Sequence, residues 1–136
     1  MKQTRSQQDM RTALDAILAI NSSDNKEIAE KFGRLCHTFP IMVRTCGLCQ
    51  AVAFSADKAT STKPDGAAHK LLLEQVAGLM GCDPDVNALL RRLQQADVRR
   101  YMLDTRQVLR AWIYWKRFAV SVLKVEGANT QSEDRV

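Results

Sequence analysis

Two sets of residues in this sequence have types and spacings that could do chemistry. The first is Cys46 and Cys49 in the run CGLC. A Cys-x-x-Cys pair yields a reactive thiolate when it opens a helix, and half of a tetrahedral zinc site when a second pair completes it. The context favours neither. The pair falls inside an apolar helical run with no strand before it, and Cys36, Cys82, His37 and His69 supply no second pair at ligand spacing. Cys46 and Cys49 are therefore expected to be buried, inert thiols, with no disulfide, metal or cofactor, since free cysteine is among the most often buried residue types. A redox role for the pair stays open as the alternative. The two histidines offer no better centre: His37 is expected near a helix end and His69 on an amphipathic helix, neither with an orienting acid. No Gly-rich phosphate loop, Walker motif or His-Glu-x-x-His spacing occurs. Neither an enzyme nor a small-molecule substrate is expected.

The second set is cationic. Arg106, Arg110, Arg117 and Lys124 follow Arg99 by 7, 11, 18 and 25 residues. At about 100° per residue these five share a stripe within roughly 20° of its centre line, about 37 Å long on a continuous helix. Arginine presents a planar fork of donors that fits phosphate, so Arg99, Arg106, Arg110, Arg117 and Lys124 are the candidate nucleic-acid-binding residues. An ordinary solvated face is the plainer explanation, but no acid shares the stripe to neutralise it, and Arg91, Arg92 and Arg100 add charge close by. Tyr101, Thr105, Val108, Trp112, Trp115, Ala119 and Val122 fall opposite, at the spacing of a packing seam. Leu103, Ile113, Tyr114 and Phe118 flank the stripe and leave an apolar surface that another protein could cover.

The helix that must position these residues is read over 97–124, which contains no Gly or Pro. The other elements follow from periodicity and caps. Thr4 or Ser6 caps a first helix to about Ile20, and Asp24 with Glu27 opens a second running to about Thr38. Phe39-Pro40 then starts a third, expected to be the most buried, through Phe54. Residues 55–66 read as a surface loop, after which Asp65 caps a fourth helix ending at Gly81, and Asp83-Pro84 opens a fifth. No strand-length alternation occurs, so the fold class is all-α: a compact bundle of about six helices with a long C-terminal helix.

Composition agrees with one core. The 136 residues, 46% of them hydrophobic, suit a single domain over 1–125 with a disordered tail at 126–136. The net charge of +5 is concentrated: residues 91–117 hold eight cations against two acids, and the remainder is near neutral. The polar N-terminus lacks a signal-peptide run, and no stretch approaches the roughly 18 apolar residues of a membrane span. A cytoplasmic protein without a membrane partner is expected.

Three stretches together resemble the small subunit of the type III-B CRISPR effector, the Cmr complex: FPIMVRTCGLCQAVAF at 39–54, HKLLLEQVAGLMG at 69–81 and DTRQVLRAWIYWKRF at 104–118. Gly47, Leu48 and Gln50 are the distinctive residues of the first, and Thr105, Arg106, Leu109, Lys116, Arg117 and Phe118 those of the last. Tyr114 and Trp115 depart modestly from the pattern, as do Cys46 and Cys49. The resemblance implies a non-catalytic helical subunit of an antiviral defence complex that stacks in several copies beside the subunits holding the guide RNA. Its basic faces would line a groove for the target RNA, with cleavage and nucleotide signalling left to other subunits. Arg106 and Arg117 gain support from the resemblance, whereas Arg99, Arg110 and Lys124 rest on geometry alone. A purely structural spacer between proteins is the competing expectation.

Overall fold

The computed structural model describes residues 2–127. Six helices follow one another: α1 (Arg5–Asn21), α2 (Lys26–Cys46), α3 (Leu48–Lys58), α4 (Pro64–Leu79), α5 (Val86–Gln95) and α6 (Val98–Ser121). The all-α expectation is borne out. The starts of three helices are made by side chains that satisfy the free N–H groups of the first turn. Thr4 and Gln7 close a reciprocal capping box on α1, with bonds of 3.1 and 2.8 Å. Asn25, rather than Asp24, caps α2 by accepting from the Ile28 N–H at 3.1 Å. Asp97 accepts from the Arg100 N–H at 2.8 Å and starts α6.

The long α2 lies at the centre, against α1, α3, α4 and α6. It passes straight through Pro40, so the boundary expected at Phe39-Pro40 is absent. A proline inside a helix removes one N–H, and the acceptor left without it is the carbonyl of the residue four earlier, here Cys36. The indole Nε1–H of Trp112, from α6, donates to that carbonyl at 2.9 Å. Tertiary structure thus replaces the missing helical bond. Trp112 lies stacked on Trp115, with centroids 5.0 Å apart, and tilted against Phe39 at 5.2 Å. Both tryptophans and Phe32 are fully buried, and Ile17, Leu48, Leu72, Leu73 and Leu89 complete the centre of the core.

The break falls seven residues later, at Gly47, whose φ of 92° is a conformation that favours glycine. Cys49, in the first turn of α3, donates its N–H to the Tyr101 hydroxyl at 3.0 Å, which supplies α3 with the cap its own sequence lacks. α3 then continues to Lys58, further than the expected loop start at residue 55. Ser55 is buried because its hydroxyl meets His69 Nδ1 at 3.2 Å and ties α3 to α4. α4 begins with Pro64 in its first turn after Lys63, without a side-chain cap from Asp65, which pairs with Lys31 at 3.0 Å instead. Gly81, at φ 73°, follows its end as expected, and α5 starts after Asp85.

α6 ends at Ser121, short of the expected Lys124. The chain then turns back onto α2: Val125 donates its N–H to the Ala119 carbonyl at 2.9 Å, and its own carbonyl meets His37 Nε2 at 2.8 Å. A Cβ on Gly33 would come within 2.7 Å of the Val125 side chain, so α2 needs glycine at this crossing. Residues 128–136, most of the expected tail, lie outside the described residues. His37 thus lies within α2 and not near a helix end, while His69 lies on a helix as expected, buried, and each fastens one segment to another.

Two outcomes test this packing. Trp112→Phe strands the Cys36 carbonyl and should cost about 1–3 kcal/mol in urea unfolding. Restoring the N–H with Pro40→Ala should make the same substitution roughly 1 kcal/mol less costly, a coupling of the size seen for residues sharing one bond. Burial lowers the pKa of His69 below the ordinary 6.5, with Asp65 opposing and Lys58 adding to the shift. The unfolded chain therefore takes up the proton first, so stability is full above pH 6.5 and falls as pH drops through it. His69→Gln should flatten the urea midpoint between about pH 7.5 and 5, which denaturation at a series of pH values would read.

Candidate nucleic-acid interface

The seam on one side of α6 decides what the other side shows. Val108, Trp112, Trp115 and Ala119 are buried, while Tyr101 and Thr105 are half-buried, as the helical period requires. Arg99, Arg106, Arg110 and Arg117 are consequently exposed along the outer line of the helix. Arg117 follows Arg99 by 18 residues, about 27 Å along the helix axis. Among the described residues none of the four has an acid within ion-pair distance. Such a row of planar donors can hold successive phosphates of an extended strand.

Lys124 does not continue the stripe. It lies beyond the helix with φ 62°, beside Lys26, Glu30 and Arg34 along a separate groove formed with α2. Arg92, read in the sequence as added charge, donates to both carboxylate oxygens of the buried Asp104 at 3.3 and 3.2 Å. Its charge is paired at the edge of the core. Two cations join from distant parts of the chain. Arg44, near the end of α2, lines a shallow groove with Met102, Leu109, Ile113 and the stripe residues Arg106 and Arg110, and Arg5 of α1 approaches α6 through Gln107. No periodicity within α6 could have revealed either.

The flanks of the stripe are apolar. Met102, Leu103, Ile113 and Val120 are 57%, 42%, 49% and 36% exposed, whereas Tyr114 and Phe118 are half-buried. On α2, Ile41 adds a further large apolar side chain at 50% exposure. Cys46 and Cys49 are exposed on either side of Gly47, contrary to the expectation of burial, because the turn at Gly47 brings this short junction to the surface of the otherwise apolar run. Burial does hold elsewhere: it pushes the Cys36 thiol well above its ordinary value and raises that of Cys82 as well. No described helix is long and apolar enough to cross a membrane.

The family model described as CRISPR-associated protein (Cas_Cmr5) matches residues 5–122, which takes in all six helices and the whole arginine row. The chain belongs to the Cmr5 family. Its sequence is 33% identical over 85 residues to the CRISPR system Cmr subunit Cmr5 of Thermus thermophilus, a match covering 62% of this chain and 68% of that relative. The fold is similar to the crystal structure of a CRISPR-associated Cmr5 family protein from the same organism, with a TM-score of 0.73 and 28% identity over 89% of this chain and 98% of that one. The resemblance carried by three stretches of sequence is thus borne out at the level of family and fold. Within the Cmr5 match lie Arg99, Arg106, Arg110 and Arg117, and beyond its end lies Lys124.

The thiols of this Cmr5-family chain should separate by exposure. Cys46 and Cys49 are expected to alkylate in the native protein, Cys82 more slowly, and Cys36 only with global unfolding, as mass spectrometry after timed iodoacetamide treatment would show.

Proposed function

We propose that this chain is the non-catalytic small subunit of a CRISPR type III-B RNA-targeting complex, acting in antiviral defence in the cytoplasm. Copies of it stack beside the other Cmr subunits, and the outer face of α6 holds the target RNA along the guide RNA. The observation that carries this reading is the row of Arg99, Arg106, Arg110 and Arg117, exposed on one line and without an acid partner among the described residues. Its chemistry is sequence-neutral. Base pairing with the guide supplies specificity, as in RNA-guided recognition generally, and the subunit supplies phosphate contacts. The apolar residues beside the row, Met102, Leu103, Ile113 and Val120, suit the contact between neighbouring subunits, because burying them on assembly removes apolar area from water.

Target-RNA binding by the assembled complex tests the proposal when measured against salt for the wild type and for Arg99→Glu combined with Arg117→Glu. Each lost phosphate contact on a single strand should reduce the log-log slope by about 0.7, so the pair should reduce it by about 1.4. An unchanged slope and affinity with assembly intact would remove the RNA contact and leave the subunit as a spacer between proteins.

A further inference from the structure

A cavity of about 430 Å³ opens between the start of α1, the end of α4, α5 and α6. Its size falls in the range of small-ligand sites. Five arginines line it, Arg5, Arg92, Arg100, Arg106 and Arg110, with Asp104 as the one acidic residue of the lining. Asp104 is committed to Arg92. Arg5, Arg100, Arg106 and Arg110 have no acid within ion-pair distance among the described residues. Gathering four like charges around one concavity costs Coulomb energy, the more so where protein walls displace water. An anion inside the cavity reverses the sign of that cost.

The support behind these residues is specific. Arg5 Nη1 donates to Gln107 Oε1 at 3.4 Å, and Gln107 Nε2 donates in turn to Asp9 Oδ1 at 3.5 Å. Asp9 is only 6% exposed, and its second oxygen has no partner among the described residues. Burial raises its pKa although Arg5, Gln107 and Arg110 pull the other way. A buried carboxylate is costly, and here it anchors a two-step relay that holds an N-terminal guanidinium toward the cavity. Leu79, Met80 and Leu103 add apolar lining to the cavity.

We propose that this cavity is a phosphate site for a group carrying at least two negative charges, with Arg5, Arg100, Arg106 and Arg110 as its donors. The proposal deepens the RNA reading of α6, since Arg106 and Arg110 belong to both surfaces. The phosphates have two possible sources: the backbone of a strand that bends from α6 toward α1, or a terminal or free polyphosphate.

Titration of the full chain with inorganic tripolyphosphate, followed by calorimetry, separates this site from the stripe. Wild type should bind saturably at one site. Arg5→Gln with Arg100→Gln should weaken binding at least about tenfold, the size expected for losing charged hydrogen bonds, while Arg99→Gln with Arg117→Gln should leave it unchanged. Equal weakening by both pairs, or no saturation in the wild type, overturns the proposal in favour of diffuse attraction. If Arg5→Gln lowers the urea midpoint, Arg100→Gln alone, at an exposed position, gives the same comparison. Displacement of tripolyphosphate by an RNA oligonucleotide with hydroxyl ends assigns the site to the backbone. Displacement only by the same oligonucleotide with a 5′-triphosphate assigns it to a strand end, and displacement by neither assigns it to a free polyphosphate. The salt slope measured with the Arg99 and Arg117 variants is independent of these results, so the phosphate site and the RNA face can fail separately.

Discussion

The carbonyl of Cys36 is the point on which the two longest helices are locked together. Pro40 deprives it of its helical donor, and the indole of Trp112 is the replacement. The bond fixes more than a distance. With Trp112 turned inward, helical geometry sets Arg99, Arg106, Arg110 and Arg117 at roughly 120–160° from it, on the far side of α6. The rotation that satisfies one buried acceptor is therefore the rotation that presents the arginine row to solvent. Stacking on Trp115 and contact with Phe39 leave little freedom for α6 to roll.

Charge is allotted along the same helix according to burial. Asp104 sits on the inward side, where an unpaired carboxylate would be costly, and it is answered by Arg92 from α5. The outward arginines are left unanswered by acids among the described residues, which solvent screening makes tolerable only because they are exposed. Along α6, among the described residues, ion pairing is thus confined to the core edge. The fold keeps its uncompensated cations for the surface, where an anionic partner can reach them.

Period and composition made much of this legible. The inward line of Val108, Trp112, Trp115 and Ala119 and the outward line of arginines are two readings of one 3.6-residue repeat, and both were available without coordinates. Pro40 misled because proline more often opens a helix than occupies its middle, and its tolerance depends on a donor 72 residues away. Ser55 looked like loop for want of a large side chain, although its partner His69 holds it in a helix. The thiols of Cys46 and Cys49 were misplaced because apolar neighbours say nothing of the turn that Gly47 imposes. Arg5 and Arg44 reach the α6 neighbourhood only through tertiary packing, and no local pattern encodes that. Lys124 was carried too far by a repeat that the helix abandons at Ser121.

Tyr101 completes the first turn of α3, and Trp112 completes the middle of α2. Both repairs come from the last helix, so until α6 is in place only water can satisfy these two backbone groups of the first half of the chain. A helix as short as α3 is marginal by itself. The hydrogen bonding of α2 and α3 is therefore completed only with the last helix in place, which ties the first half of the fold to the end of the chain.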